Sequence, residues 1–270
     1  VKAGRMELSY GNQRMLSSLD WSDVGRAWDG LVFQHATADH KLDVIYSKPV
    51  ENQMLAEDTT STLGGLYYER AISGWDTDFY LLNRVYDDRD DITLGALVEG
   101  NYSGFGLSGE FAMQSGDATA EVKADGTAMA VSANYAVGGG MNLGVAYESP
   151  DSFQTIADFN HSYHGHMDLF QWSSSDSGLT DIIIKGSMPI DNVWKWYGNF
   201  HMFTDTKTGD ALGNELDLGI KGHLSDSVSF WGGYSMFMDD SGAMSGVPGA
   251  DYVDPAEDSS WLFAQIVVNF

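Results

Sequence analysis

The strongest constraint on this chain is a two-residue period. Fourteen runs, many about ten residues long, carry apolar side chains at alternate positions with polar or small residues between them. They fall at 1–10, 27–36, 40–49, 61–73, 75–86, 91–103, 105–115, 127–137, 141–149, 180–190, 193–205, 214–225, 227–238 and 260–270. In 105–113, Phe105, Leu107, Phe111 and Met113 share one face, while Ser108, Glu110 and Ala112 share the other. In 214–224, Leu216, Leu218, Ile220 and Leu224 oppose Glu215, Asp217, Lys221 and His223. An amphipathic helix repeats every 3.6 residues, so these runs predict strands. A tilted strand of about ten residues crosses the hydrocarbon layer of a membrane.

The connectors sort by length in strict alternation. Tight ones lie at 37–39, 73–74, 103–104, 138–140, 191–192 and 226, and longer ones at 11–26, 50–60, 87–90, 116–126, 150–179, 206–213 and 239–259. A soluble sandwich has no reason to sort its connectors this way. Outer-membrane barrels have short periplasmic turns and longer extracellular loops. The expected fold is therefore all-β: one transmembrane antiparallel up-and-down barrel over 1–270, with about fourteen strands, in the outer membrane of a Gram-negative bacterium. Tyr10, Tyr46, Tyr102, Tyr147, Trp194, Trp196, Phe230 and Phe270 stand near strand ends, where interfacial aromatic girdles belong. The closing Val267, Val268, Asn269 and Phe270 are similar to the assembly signal of such barrels.

Composition removes other classes. Lys and Arg total 14 against 39 Asp and Glu, a formal charge of −25, which does not suit a general nucleic-acid binder. With no Cys, disulfides, thiolate metal sites and Cys nucleophiles are excluded. No G-x-S-x-G, P-loop or H-E-x-x-H motif occurs, so catalysis has no sequence support and no cofactor is expected.

The opening residues carry a more specific signal. Gly4, Arg5, Met6, Glu7, Leu8, Ser9, Tyr10, Gly11, Asn12, Gln13 and Arg14 resemble the GRQE-x-x-YGDQR segment of the alginate-export family of outer-membrane barrels. The stretch from Trp21 through Arg26 and Asp29 to Gly30 resembles that family's W-x-N-x-x-R-x-F-D-G segment, in matching order and spacing. The resemblance implies an eighteen-stranded barrel in which this segment follows several earlier strands. The chain would then be a C-terminal part lacking about four strands; a complete fourteen-strand barrel is the competing expectation. It also implies a basic constriction with Arg5, Arg14, Arg26 and Asp29 at or near it, or an Arg–Asp pair holding a strand–loop junction.

A barrel this wide is not filled by its own wall, so a hydrated pore with charge-set selectivity is expected. Alternation puts Arg5, Arg84, Lys185, Lys195 and Lys221 inside, with Glu7, Asp43, Glu69, Asp78, Glu99, Glu110, Glu148, Asp181, Glu215 and Asp217. Acids outnumber bases about two to one, which counts against polyuronate export. Structural ion pairing is the alternative role for each. Passive movement of a hydrated solute or polysaccharide is the expected function. A loop-plugged surface protein is the alternative. Lipid and lipopolysaccharide are the expected partners. Asp87, Asp88, Asp90 and Asp91 with the acidic loop 239–259 offer hard oxygen ligands for Ca²⁺. His161, His164 and His166 offer imidazoles for Zn²⁺ or Cu²⁺, against the plainer expectation of a polar surface loop.

Overall fold

The computed structural model describes residues 1–21, 25–49, 61–86, 88–119, 121–156, 160–170, 178–239 and 258–268. Fourteen strands form one sheet in chain order: β1 Lys2–Met6, β2 Trp28–Ala36, β3 His40–Pro49, β4 Thr62–Ile72, β5 Trp75–Tyr86, β6 Arg89–Tyr102, β7 Phe105–Asp117, β8 Thr127–Gly138, β9 Met141–Asp151, β10 Leu179–Pro189, β11 Trp194–Asp205, β12 Ala211–Ser225, β13 Val228–Asp239 and β14 Ser259–Val268. Among the described residues the only helical element is one 3₁₀ turn, Asn160–Ser162. Among the described residues no helix is long and apolar enough to cross a membrane.

The faces have the polarity of a membrane sheet. On β12, Leu218 and Ile220 are 37% and 36% exposed, while Glu215 and Asp217 are wholly buried. On β7, Phe111 and Met113 are exposed and Glu110, Ala112 and Gln114 are buried. On β10, Ile182 and Ile184 are exposed between the buried Asp181 and Ile183. The oily face points outward and the charged face inward, as lipid outside requires.

Register follows the turns. Ser73 and Gly74 both take positive φ (53° and 84°), and Ile72 pairs with Trp75 across them. Ser103 and Gly104 repeat this geometry at 51° and 86°. Such left-handed pairs match the twist of a hairpin. One connector departs from expectation. Tyr86 pairs with Arg89, so the link predicted as the longer loop 87–90 is only residues 87–88. The first strand also stops at Met6 rather than 10, because Leu8 and Tyr10 turn inward and are buried.

The chain forms two compact units. The first holds Val1–Gly100, Ser108–Met129 and Pro150–Asn160; the second holds Asn101–Leu107, Ala130–Ser149 and His161–Phe270. In each unit a connector folds back onto the inner face of its strands.

Candidate functional site: two inward segments and a lysine-lined cavity

In the first unit the inward connector is 7–21. Tyr10 donates its hydroxyl to Asp43 at 2.9 Å, and Gln34 also donates to Asp43 at 2.9 Å. Arg14 donates from Nε to Glu110 at 3.2 Å, with both side chains nearly inaccessible. Glu110 also accepts from Tyr80 at 2.9 Å and from Asn12 at 3.1 Å. Tyr10, Tyr67 and Tyr80 form a run of rings 4.5 and 5.7 Å apart, and Tyr67 donates to Asp78 at 2.7 Å. Gly11 permits this approach. Its φ is +54°, and a Cβ there would lie 2.6 Å from the Tyr67 hydroxyl. Burial pushes the Tyr10 hydroxyl pKa up, and the charges of Asp43 and Glu69 add to that. Tyr10 is thus part of this inner network and not of an interfacial girdle. Tyr46 and Tyr102 are exposed.

The same unit corrects two expectations. Arg5 pairs with Asp29 through two hydrogen bonds of 2.9 and 3.0 Å. The pair shares its parity with exposed Leu31 and Phe33, whereas Val32 and Trp28 on the other parity are buried. Arg5 and Asp29, at 63% and 49% side-chain exposure, therefore face outward and do not line the inner wall. A bidentate pair at a strand end meets headgroups and water, so outward charge is tolerated there. Asp91 is wholly buried and held by Arg84 at 2.8 Å and by Arg89. Two guanidiniums already neutralise it, which removes it as a cation ligand. Arg84 further donates to the carbonyls of Thr155 and Gln154 at 2.7 and 3.2 Å. Asp88 and Asp90 are exposed; Asp87 and most of the acidic loop, 240–257, lie outside the described residues, as does Phe270. Glu7 is exposed beside Tyr10. Glu99 is half-buried on the inner parity of β6. Arg26 donates its backbone N–H to Ser18 O at 2.7 Å.

In the second unit the inward segment is 160–170, all of which but Asn160 belongs to this unit. Its apolar end, Leu169 and Phe170, packs with Leu179, Phe203 and Phe237. Its polar end carries the three histidines, all buried, so the expectation of a polar surface loop is overturned. The strands beneath supply Glu148 (β9), Asp181 (β10), His201 (β11) and Glu215 and Asp217 (β12), all buried. His164 Nδ1 and His201 Nδ1 lie 3.3 and 2.8 Å from Asp181 Oδ2. A carboxylate accepts, so each ring carries a proton on Nδ1. His161 Nδ1 lies 3.1 Å from Asp168. Glu215 accepts the Met167 backbone N–H at 2.9 Å, and Ser235 donates to Asp217 at 2.5 Å. Gly165 has φ +88°, and a Cβ there would sit 2.5 Å from the Glu215 carboxylate. The three imidazoles of the segment thus lie against different carboxylates, Asp168, Asp181 and Asp217, while His201 shares Asp181 with His164. Among the described residues no set of three His, Asp or Glu side chains converges as a metal site.

Beside this seat lies a cavity of about 320 Å³. Its lining includes Lys185, Lys195, Lys221, Asn134, Asn142 and Asn199, with His161, His166, Tyr197 and Trp231. Lys195 and Lys221 face each other directly across β11 and β12, and Lys221 pairs with Trp231 on β13. The Lys221 ammonium sits 3.9 Å from the Trp231 ring centre, and Trp231 Nε1 donates to the Tyr197 hydroxyl at 2.6 Å. Among the described residues no carboxylate pairs with any of the three lysines. Like charges directly opposed destabilise a sheet. Alternation identified each lysine; their convergence on one cavity comes from register.

The strand number and the oily outer face define an outer-membrane β-barrel of the porin type. A model described as alginate export matches residues 1–152, more than half of the 270. The chain belongs to the alginate export family. The structure is similar to the outer-membrane protein OprD of Pseudomonas aeruginosa: 13% identity, 98% of this chain, 73% of that one, TM-score 0.65. OccK10 (OpdN) of the same organism gives 11% identity, 96% and 78% coverage, and TM-score 0.65. Outer-membrane-expressed OmpT of Vibrio cholerae gives 12%, 91%, 86% and 0.53. At these identities the likeness establishes the fold, the outer-membrane porin β-barrel. No curated protein matches the sequence. The protein is an outer-membrane channel of a Gram-negative bacterium, and its family and structural neighbours are channels and not enzymes.

Proposed function

We propose that the protein is a passive route for hydrated anionic solutes. One observation carries this reading: the buried inward acids are engaged, whereas the inward lysines of the second unit face open space. Glu110, Asp91, Asp181 and Asp217 each lie within 3.5 Å of a basic or imidazole nitrogen, and Glu215 accepts a backbone N–H. Lys185, Lys195 and Lys221 line the cavity instead. The two-to-one excess of acids over bases therefore does not describe the charge a passing solute meets. Three amides and an aromatic wall accompany the lysines, a lining suited to carboxylated saccharides, the class to which the family's namesake polyanion belongs. A fixed lining needs no cofactor.

Single-channel recording across a salt gradient tests this. The expected reversal potential has the sign of anion preference, and the triple substitution K185Q/K195Q/K221Q moves it toward zero or past it. A cation-selective wild type, unchanged by the triple substitution, overturns the reading. A second reading, a loop-plugged surface protein, is favoured by segments 7–21 and 160–170 lying on the inner face. A barrel that stays silent in the bilayer would establish it.

A further inference from the structure

The buried histidine seat has a consequence beyond conduction. The surroundings of His166 favour the neutral ring on balance, against the opposing charge of Asp217. It is stacked on His161 at 4.9 Å and surrounded by Tyr197, Trp231 and Phe263 at 5.6, 5.6 and 5.7 Å. Its nearest carboxylate oxygen, on Asp217, is 3.8 Å away, beyond a hydrogen bond, and that carboxylate is already engaged by Ser235 and approached by His201 at 3.5 Å. The charged and titratable groups around it are His161, His164 and Asp168 from its own segment, Glu148 from β9, Asp181 and Lys185 from β10, Lys195, Tyr197 and His201 from β11, and Glu215, Asp217 and Lys221 from β12. The segment that carries His166 also forms one wall of the lysine-lined cavity, through His161, Ser162 and His166.

We propose that segment 160–170 is a proton-released latch: protonation of His166 unseats it from the inner face of β9–β13 and widens the cavity beside it. The ligand that works the latch is the hydronium ion. The proposal rests on the cavity being part of the solute route, whose regulation it describes.

The direction follows from linkage. Burial, with smaller contributions from His161, His201 and Lys221, lowers the His166 pKa from 6.5 to about 4 in the seated segment, against the pull of Asp217. A group depressed in the seated state binds more protons when released. The seat is therefore fully held above pH 6.5 and weakens as pH falls toward 4. Between pH 7.5 and 5 the released fraction rises about thirtyfold.

Hydrogen exchange on the purified channel in detergent reads this without requiring ion flow. After correction for intrinsic exchange, protection of 160–170 should fall about thirtyfold from pH 7.5 to 5, with β9–β13 unchanged. H166Q and H166F should each remove the pH dependence. In bilayers, a higher-conductance level should become more frequent at pH 5 in the wild type alone. Unchanged wild-type protection overturns the latch, and so does an equal fall in either variant. If neither variant assembles, the wild-type exchange alone decides. Loss of protection at pH 7.5 on adding EDTA also overturns it, since a metal would then hold the seat. Exchange that behaves as expected in a channel without anion preference would sink the conduction reading and leave the latch standing.

Discussion

Replacing Arg14 by Ala isolates the energetics of the first inward segment. Arg14 and Glu110 are almost inaccessible, with Nε to Oε2 at 3.2 Å. The substitution leaves Glu110 buried with Tyr80 and Asn12 as donors at 2.9 and 3.1 Å. Breaking a buried pair from one side costs roughly 3–5 kcal/mol, and the donors that remain place this case at the low end. About 3 kcal/mol corresponds to roughly two orders of magnitude in an equilibrium constant. The β5–β7 wall keeps its ladder, so the cost should fall on the seating of 7–21. Exchange protection at Leu8, Tyr10 and Leu16 should drop about a hundredfold, and channel conductance should rise. E110Q should be milder, because a neutral amide left beside Arg14 can still accept a hydrogen bond. The double substitution R14M/E110L should recover much of the loss, since it leaves no unpaired charge. If R14A keeps both wild-type protection over 8–18 and wild-type conductance, the buried pair does not hold the segment.

Three further outcomes follow from the geometry. L218R puts a cation on the oily face of β12 and should lower folding stability in lipid vesicles by about 2–4 kcal/mol if the site is near the bilayer midplane, measured by denaturant titration. G165A forces a side chain into a backbone at φ +88° and against Glu215; it should cost about 1–3 kcal/mol in seating 160–170 and lower exchange protection there while β12 keeps its own. R84A removes donors to Asp91 and to the carbonyls of 154 and 155, and should raise protease cleavage near 154 with little change in anion preference.

Strands were legible because each carries its own signal. Alternation and short turns are local, and every one of the fourteen runs overlaps an observed strand. The inward segments were not. Tyr10 reads as a girdle residue by its place near a strand end, yet its hydroxyl finds Asp43, 33 positions away. The histidines read as a surface loop because polarity alone cannot distinguish water from buried carboxylates. What seats them is Glu148, Asp181, His201, Glu215 and Asp217, brought together on neighbouring rungs by register across four strands. Arg5 and Asp29 were misplaced for a related reason: at a membrane rim both faces are wet, so charge no longer reports which side is inside.

The indole of Trp231 contacts both the Lys221 ammonium and, nearly perpendicular, the ring of His166, with its N–H fixed on Tyr197. Its emission should therefore respond both to a negative charge drawing Lys221 away and to the departure of His166, which makes it an optical gauge of the passage. With the other seven of the eight tryptophans replaced, fluorescence would follow occupancy and gating in the same sample, without electrodes.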